Sequence, residues 1–111
     1  MSDPTQNLIL ELRRGTLVLN VLSQLEEQQY GYSLKDRLAE QGVEIDQGTL
    51  YPLLRRLEDQ GLLESEWSLQ DTRPRRYYRL NETGKRVLQT LIQEWRAITE
   101  AMNRLLKERE D

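Results

Sequence analysis

The stretch 48-GTLYPLLRRLEDQGLL-63 decides how the rest of the chain is read. Leu50, Leu53, Leu54 and Leu57 recur at helical spacing, yet Pro52 sits among them. Proline lacks a backbone donor and crowds the carbonyl four residues back, here that of Gly48. On a wheel of about 100° per residue the four leucines cluster toward a core. Gly48, Pro52, Arg55 and Asp59 lie opposite them, with Tyr51 on one flank and Thr49 and Arg56 on the other. Asp46 supplies an N-cap and Gly61 a stop, which bounds a helix over 47–60. Pro52 then falls early in that helix, where a missing donor costs less. The outward face near the N-terminus is low in profile. It lets the helix N-terminus, with its free N–H groups and positive dipole end, approach an anion or a base edge closely. Arg55 is placed to reach a guanine edge or a phosphate, and Thr49 and Tyr51 to hydrogen-bond the backbone or pack on a thymine methyl.

Downstream, 62-LLESEW-67 and 75-RRYYRL-80 read as two short strands joined by a polar loop containing Pro74, which is a β-hairpin. Alternation puts Arg76, Tyr78 and Leu80 on one face and Arg75, Tyr77 and Arg79 on the other. Tyr78, sharing a face with Leu80, reads as core. Asn81 caps a final helix reaching Arg109. Leu88, Leu91, Trp95, Ile98, Met102 and Leu105 recur along it at alternating three- and four-residue steps, a heptad seam that Val87, Ile92 and Leu106 widen. At about 1.5 Å per residue the helix reaches roughly 40 Å, more than a domain this small covers alone, so a second copy is the expected cover.

Upstream, residues 8–27 are apolar nearly all round, as in a helix buried on several sides, with Gly15 a weak point. The segment 28-QQYGY-32 reads as a turn around Gly31. Ser33 and Asp36 form a start signal for a short helix ending near Gly42. Lys35 and Arg37 on that helix are candidate phosphate contacts. The order is helix, helix, helix, hairpin, long helix. The expected fold is mainly α with a small β-hairpin, a winged helix-turn-helix plus a long C-terminal dimerisation helix. The expected division places the winged helix in 1–80, its helix 8–27 also in the dimer core, and the dimerisation helix in 81–111.

Composition narrows the function. The 111 residues contain no cysteine and no histidine, which removes thiolate chemistry, disulfides and the commonest general base and metal ligand. The 19 acidic side chains show no paired arrangement suited to acid–base work, so an enzyme is not expected, nor a metal or cofactor. No signal peptide and no span of about 20 apolar residues is visible, so the expected location is cytoplasmic, with no membrane partner. The net charge is −3, but residues 1–48 carry −4, residues 49–86 carry +2 and residues 87–111 carry −1. Within the basic middle, 73-RPRRYYR-79 has four arginines and no acid. As a wing over 68–76, Arg73, Arg75 and Arg76 would follow phosphates or enter a minor groove. A winged-helix adaptor binding protein rather than DNA is the alternative, and the acidic first 48 residues are its support.

Three blocks, YGYSL at 30–34, GTLYPLLRRLEDQGLLES at 48–65 and RPRRYYRLNETGKRVL at 73–88, resemble the PadR family of bacterial transcriptional regulators. The resemblance implies a winged-helix homodimer, nucleoid-associated, binding palindromic operator DNA, usually as a repressor. It implies that Gly48, Thr49, Leu50, Tyr51 and Pro52 belong to the recognition helix and that Thr49, Tyr51 and Pro52 face DNA. It further implies that Arg75 and Arg76 lie on the wing and that Tyr32 and Ser33 open a helix near phosphates. The length fits the short subfamily with one C-terminal helix. Some short members bind flat aromatic compounds through a tryptophan on that helix, which makes Trp95 a candidate contact for a small planar aromatic effector.

Overall fold

The computed structural model describes residues 3–70 and 72–107. The leucine pattern of 50–57 builds α4, Gln47–Asp59, with Leu50, Leu53, Leu54 and Leu57 all buried. Asp46 caps it, its carboxylate accepting the Thr49 N–H at 2.7 Å. The helix runs through Pro52 without a break. Gly61 follows at φ +83°, the left-handed conformation that glycine adopts without the steric cost of a Cβ.

Before α4 come α1 (Thr5–Arg14), α2 (Leu17–Ser23), β1 (Gln29–Tyr30) and α3 (Gly31–Glu40). After it come β2 (Leu63–Ser68), β3 (Arg75–Leu80) and α5 (Glu82–Lys107). The sheet is antiparallel with order β1-β3-β2. Leu63 pairs with Leu80 and Ser68 with Arg75, so the wing's ladder spans both strands in full. The connection over 69–74 includes Asp71, which lies outside the described residues. The core joins Val21, Leu22 and Leu25 of the α2 region to Leu34 and Leu38 of α3, the four leucines of α4, and Leu63, Tyr78, Leu80 and Leu88.

Several sequence expectations change. The apolar segment 8–27 is two helices, not one. At the joint the Thr16 N–H bonds the Arg13 carbonyl at 3.0 Å and its hydroxyl donates to the same oxygen at 2.8 Å, a tight turn that ends α1. α1 itself buries no residue. The turn around Gly31 is instead a third strand running straight into α3. Ser33 does not precede that helix but lies within its first turn, where its hydroxyl accepts the Tyr30 N–H at 3.1 Å. Asn81 caps α5 as expected, accepting the Gly84 N–H at 2.8 Å. The end of α5 expected at Arg109 lies outside the described residues.

The seam on α5 divides. Leu88, expected between two copies, is 2% exposed and packs in this chain's own core, because the first turns of α5 lie against α2 and β3. Leu91 is half-buried beside it. From Trp95 onward the stripe leaves the core. Ile98, Met102, Leu105 and Leu106 are exposed, as are Leu8, Leu10 and Leu12 of α1.

Candidate nucleic-acid interface

The outward ridge of α4 stands between two clefts. One, of about 350 Å³, is bordered by Arg14 and the α2 residues Leu17 and Val18, and on α4 by Thr49, Pro52, Leu53 and Arg56. The other, of about 360 Å³, lies between α4 and the wing. Tyr51 and Arg55 form its helix side, and Trp67, Pro74, Arg75 and Arg76 its wing side. The helix therefore projects as a narrow rib with basic side chains on each flank.

Its surface follows from the sequence. Gly48 is exposed, and a Cβ added there would meet nothing nearer than an Asp46 oxygen at 3.6 Å. The fold itself has no steric need for glycine at that point. Gly31 is the opposite case. A Cβ there would fall 2.0 Å from Cε1 of Tyr51, because the Tyr51 ring lies across this glycine at the start of α3. The Tyr51 ring pose thus depends on Gly31, the first residue of α3.

The charged groups fall into two classes. Among the described residues Arg55, Arg56 and Arg73 are exposed and have no ion-pair partner within the chain. Lys35 is half-buried on α3, and its charge reaches Asp46. That carboxyl is held below its ordinary value, first by hydrogen bonding from the Thr49 side chain and then from the Thr49 N–H, with Lys35 contributing. Thr49 therefore supports the cap with both its side chain and its N–H. Arg37 pairs with Glu27 at 3.6 Å on the exposed surface.

Arg75 and Arg76 part company, as strand alternation requires. The Arg75 guanidinium lies over the Tyr30 ring at 4.5 Å, and Tyr30 in turn meets Tyr77 edge-on at 5.4 Å. Arg76 points to the other face. It bonds Glu58 at 2.8 Å and Ser65 at 3.0 Å, and lies over the rings of Tyr78 and Trp67. Arg76, expected along phosphates, thus has its guanidinium engaged with Glu58 and Ser65 while its side chain stays 36% exposed. Burial raises the Tyr78 hydroxyl above its ordinary pKa, although the neighbouring Arg76 charge opposes the shift. Ser33, another expected contact, uses its hydroxyl locally against Gln29 and Tyr30, while Tyr32 beside it is exposed.

Two contributors escaped sequence reasoning. Arg14 joins the flank of α4 from another helix, and only the 13-RR-14 pair hinted at it. Trp67 is 62% exposed at the wing, where its ring lies under the Arg76 guanidinium and borders the cleft to α4. Trp95 lies away from the rib. It borders a cleft of about 300 Å³ with Arg13, Leu17, Asn20 and Val43. Among the described residues no cluster of three or more potential metal ligands occurs, and no helix is long and apolar enough to cross a membrane.

Comparison with known proteins agrees with this geometry. The profile of the "Transcriptional regulator PadR-like family" matches residues 18–90, from α2 through the first turns of α5. A transcriptional regulator of Mycobacterium tuberculosis is 38% identical over 79 residues, covering 70% of this chain and 74% of its own length. The crystal structure of a PadR family transcriptional regulator from Eggerthella lenta superposes with a TM-score of 0.86 at 50% identity, covering 92% of this chain and 91% of the other. A PadR family transcription regulator from Clostridium difficile gives 0.76 at 34% identity, with 82% and 98% covered.

Proposed function

The chain belongs to the PadR-like family of transcriptional regulators, and from that premise we propose that it is a homodimeric repressor reading a palindromic operator. The observation that carries the reading is the α4 rib, low in profile at Gly48 and Pro52 and flanked by Arg14, Arg55 and Arg56. A rib of this width enters a major groove, and the clefts on either side receive the two phosphate backbones that border it. Arg55 and Tyr51 face base edges. Arg56, Arg73, Arg14 and Lys35 face phosphates, and the wing carrying Arg73 and Arg75 lies over the neighbouring minor groove.

The exposed apolar faces of α1 and distal α5 support the dimer, since Trp95, Ile98, Met102 and Leu105 continue a seam that stays exposed among the described residues. Two copies would set their α4 helices in successive major grooves, about 34–36 Å apart. The protein would act in the cytoplasm, at the nucleoid. A planar aromatic effector would enter beside Trp95, where the cleft to α2 is open and mainly apolar.

The test is titration of a duplex from the region upstream of the protein's own coding sequence, at several salt concentrations. Binding should weaken steeply with salt, and Arg73→Ala should reduce the log–log slope by about 0.9, the share of one phosphate. Arg55→Ala should change the ranking of operator variants. Absence of binding at low salt, on this duplex and on random sequence alike, would leave the protein adaptor as the better reading.

A further inference from the structure

Arg76, Glu58 and Ser65 form a closed triangle between the wing and the end of α4. Arg76 donates from Nη2 to Glu58 Oε1 at 2.8 Å and from Nε to Ser65 Oγ at 3.0 Å, while the Ser65 hydroxyl donates to Glu58 Oε2 at 2.6 Å. Both carboxylate oxygens and the hydroxyl are thus used, and the three residues come from α4, β2 and β3. The side chains of Arg76 and Glu58 are 36% and 24% exposed, so the pair is shielded without being sealed off. The guanidinium also lies 5.4 Å from the Tyr78 ring centre and 5.9 Å from that of Trp67. Those contacts fix it from both strands of the wing.

We propose that Glu58 is a positioning residue for DNA recognition: through Arg76 and Ser65 it locks the wing at one angle to the α4 rib. β1 pairs only with Tyr77 and Tyr78, so from Arg76 and Trp67 outward the wing is two strands alone, and its angle to α4 depends on side-chain contacts such as this triangle. The cleft between Tyr51 and Arg55 on one side and Pro74 and Arg75 on the other has its width set by that angle. Contacts on the two sides of a phosphate strand form together only when the width is right. This places a carboxylate on the basic face as a contributor to affinity for a polyanion, against its charge. It also makes Arg76 a strut rather than a phosphate contact.

The inference rests on the DNA-binding reading, and its sign separates it from simple electrostatics. Deleting an acidic charge beside DNA ordinarily tightens binding. Loss of the lock lowers the fraction of protein with a competent wing, and affinity falls by that fraction. For Glu58→Gln, close in shape to the original, the expected result is about a tenfold loss of affinity with the salt slope unchanged. Arg76→Lys should show a similar loss, because one ammonium does not reproduce the two-pronged contact, whereas a phosphate contact would tolerate lysine well.

Hydrogen exchange on the free protein supplies a readout independent of DNA. In both variants the amides of 75–80 should exchange at least about tenfold faster while those of α2 keep their protection. Equal or tighter DNA binding by Glu58→Gln would overturn the proposal, as would unchanged exchange over 75–80. A slope reduced by about 0.9 in Arg76→Ala would overturn it as well, by making Arg76 a phosphate contact. If the wild-type protein binds no duplex, the functional reading fails by itself. Faster exchange in Glu58→Gln would then still establish the lock, and unchanged exchange would remove it.

Discussion

Gly84, in the first turn of α5, gives the sharpest quantitative test of the packing, with Gly48 as its counterpart. A Cβ at Gly84 would lie 2.1 Å from the Leu62 carbonyl oxygen and 3.1 Å from both the Leu62 carbonyl carbon and a Leu80 methyl. The first distance is about 1.3 Å short of the 3.4 Å at which contacts become ordinary, and the obstacle is backbone. Relief requires α5 to move off the α4–β2 connection. That movement stretches the Asn81 N–H bond to the same Leu62 oxygen, now 3.1 Å, out of range, and strains the bond from the Asn81 amide to Gly61. Overpacking costs about 1–3 kcal/mol and the lost backbone bond about 1 kcal/mol. The helix preference for alanine returns about 1 kcal/mol. The net loss is about 1–3 kcal/mol, or a melting temperature lower by roughly 4–12 °C at one fixed protein concentration. Gly48→Ala meets no atom closer than 3.6 Å and should raise stability by a few tenths to about 1 kcal/mol. It should nevertheless weaken binding to the upstream duplex, because the added methyl stands on the face that approaches DNA. Thermal melts followed by circular dichroism check both halves. A Gly84→Ala protein that melts at or above the wild-type temperature would refute the packing argument.

Three further outcomes follow from particular contacts. Gly31→Ala must push the Tyr51 ring aside, so selection from random duplexes should return an altered consensus; an unchanged consensus takes Tyr51 out of sequence reading. Asp46 has a depressed pKa in the folded state, so its contribution is full above the ordinary value of about 3.9 and is lost as pH falls through the lower folded value. Asp46→Asn, which still caps, should therefore flatten the acid limb of melting temperature against pH below about 4, and an acid limb identical to wild type would place its origin elsewhere. Ile98→Glu, on the exposed stripe of α5, should give a monomer in sedimentation at micromolar concentration, whereas a persistent dimer would move the interface off this stripe.

Local signals in the sequence proved reliable wherever one segment held all the information. The α4 leucines, the Asp46 and Asn81 caps, the Gly61 stop and the alternation along 75–80 each involve residues within a few positions of one another. What escaped depends on partners far along the chain. β1 is two residues long, too short for any periodicity, and exists because Gln29 and Tyr30 find Tyr78 and Tyr77 across the sheet. Arg76 looked like Arg73 in sequence. What sets it apart is Glu58, 18 residues away, brought opposite by the turn at Gly61. Arg14 was hidden for the same reason, since its neighbours Thr49 and Pro52 lie on a helix it meets only after folding.

The heptad stripe of α5 shows a different limit. Its spacing is uniform from Leu88 to Leu105, yet the first position is sealed in the core and the last is 67% exposed. Periodicity reports that a face is apolar, not what covers it. The boundary falls between Leu91, half-buried against the core, and Trp95, 44% exposed beside an open cleft to α2. Beyond it, α5 continues for about three turns with an apolar face left exposed among the described residues. α1, which also buries nothing, presents a second such face. Covering both with a second chain makes completion of the hydrophobic surface depend on association. The dimer reading therefore carries a consequence that a self-sufficient domain would not show: the melting temperature should rise with protein concentration, because the associated state is then favoured by mass action.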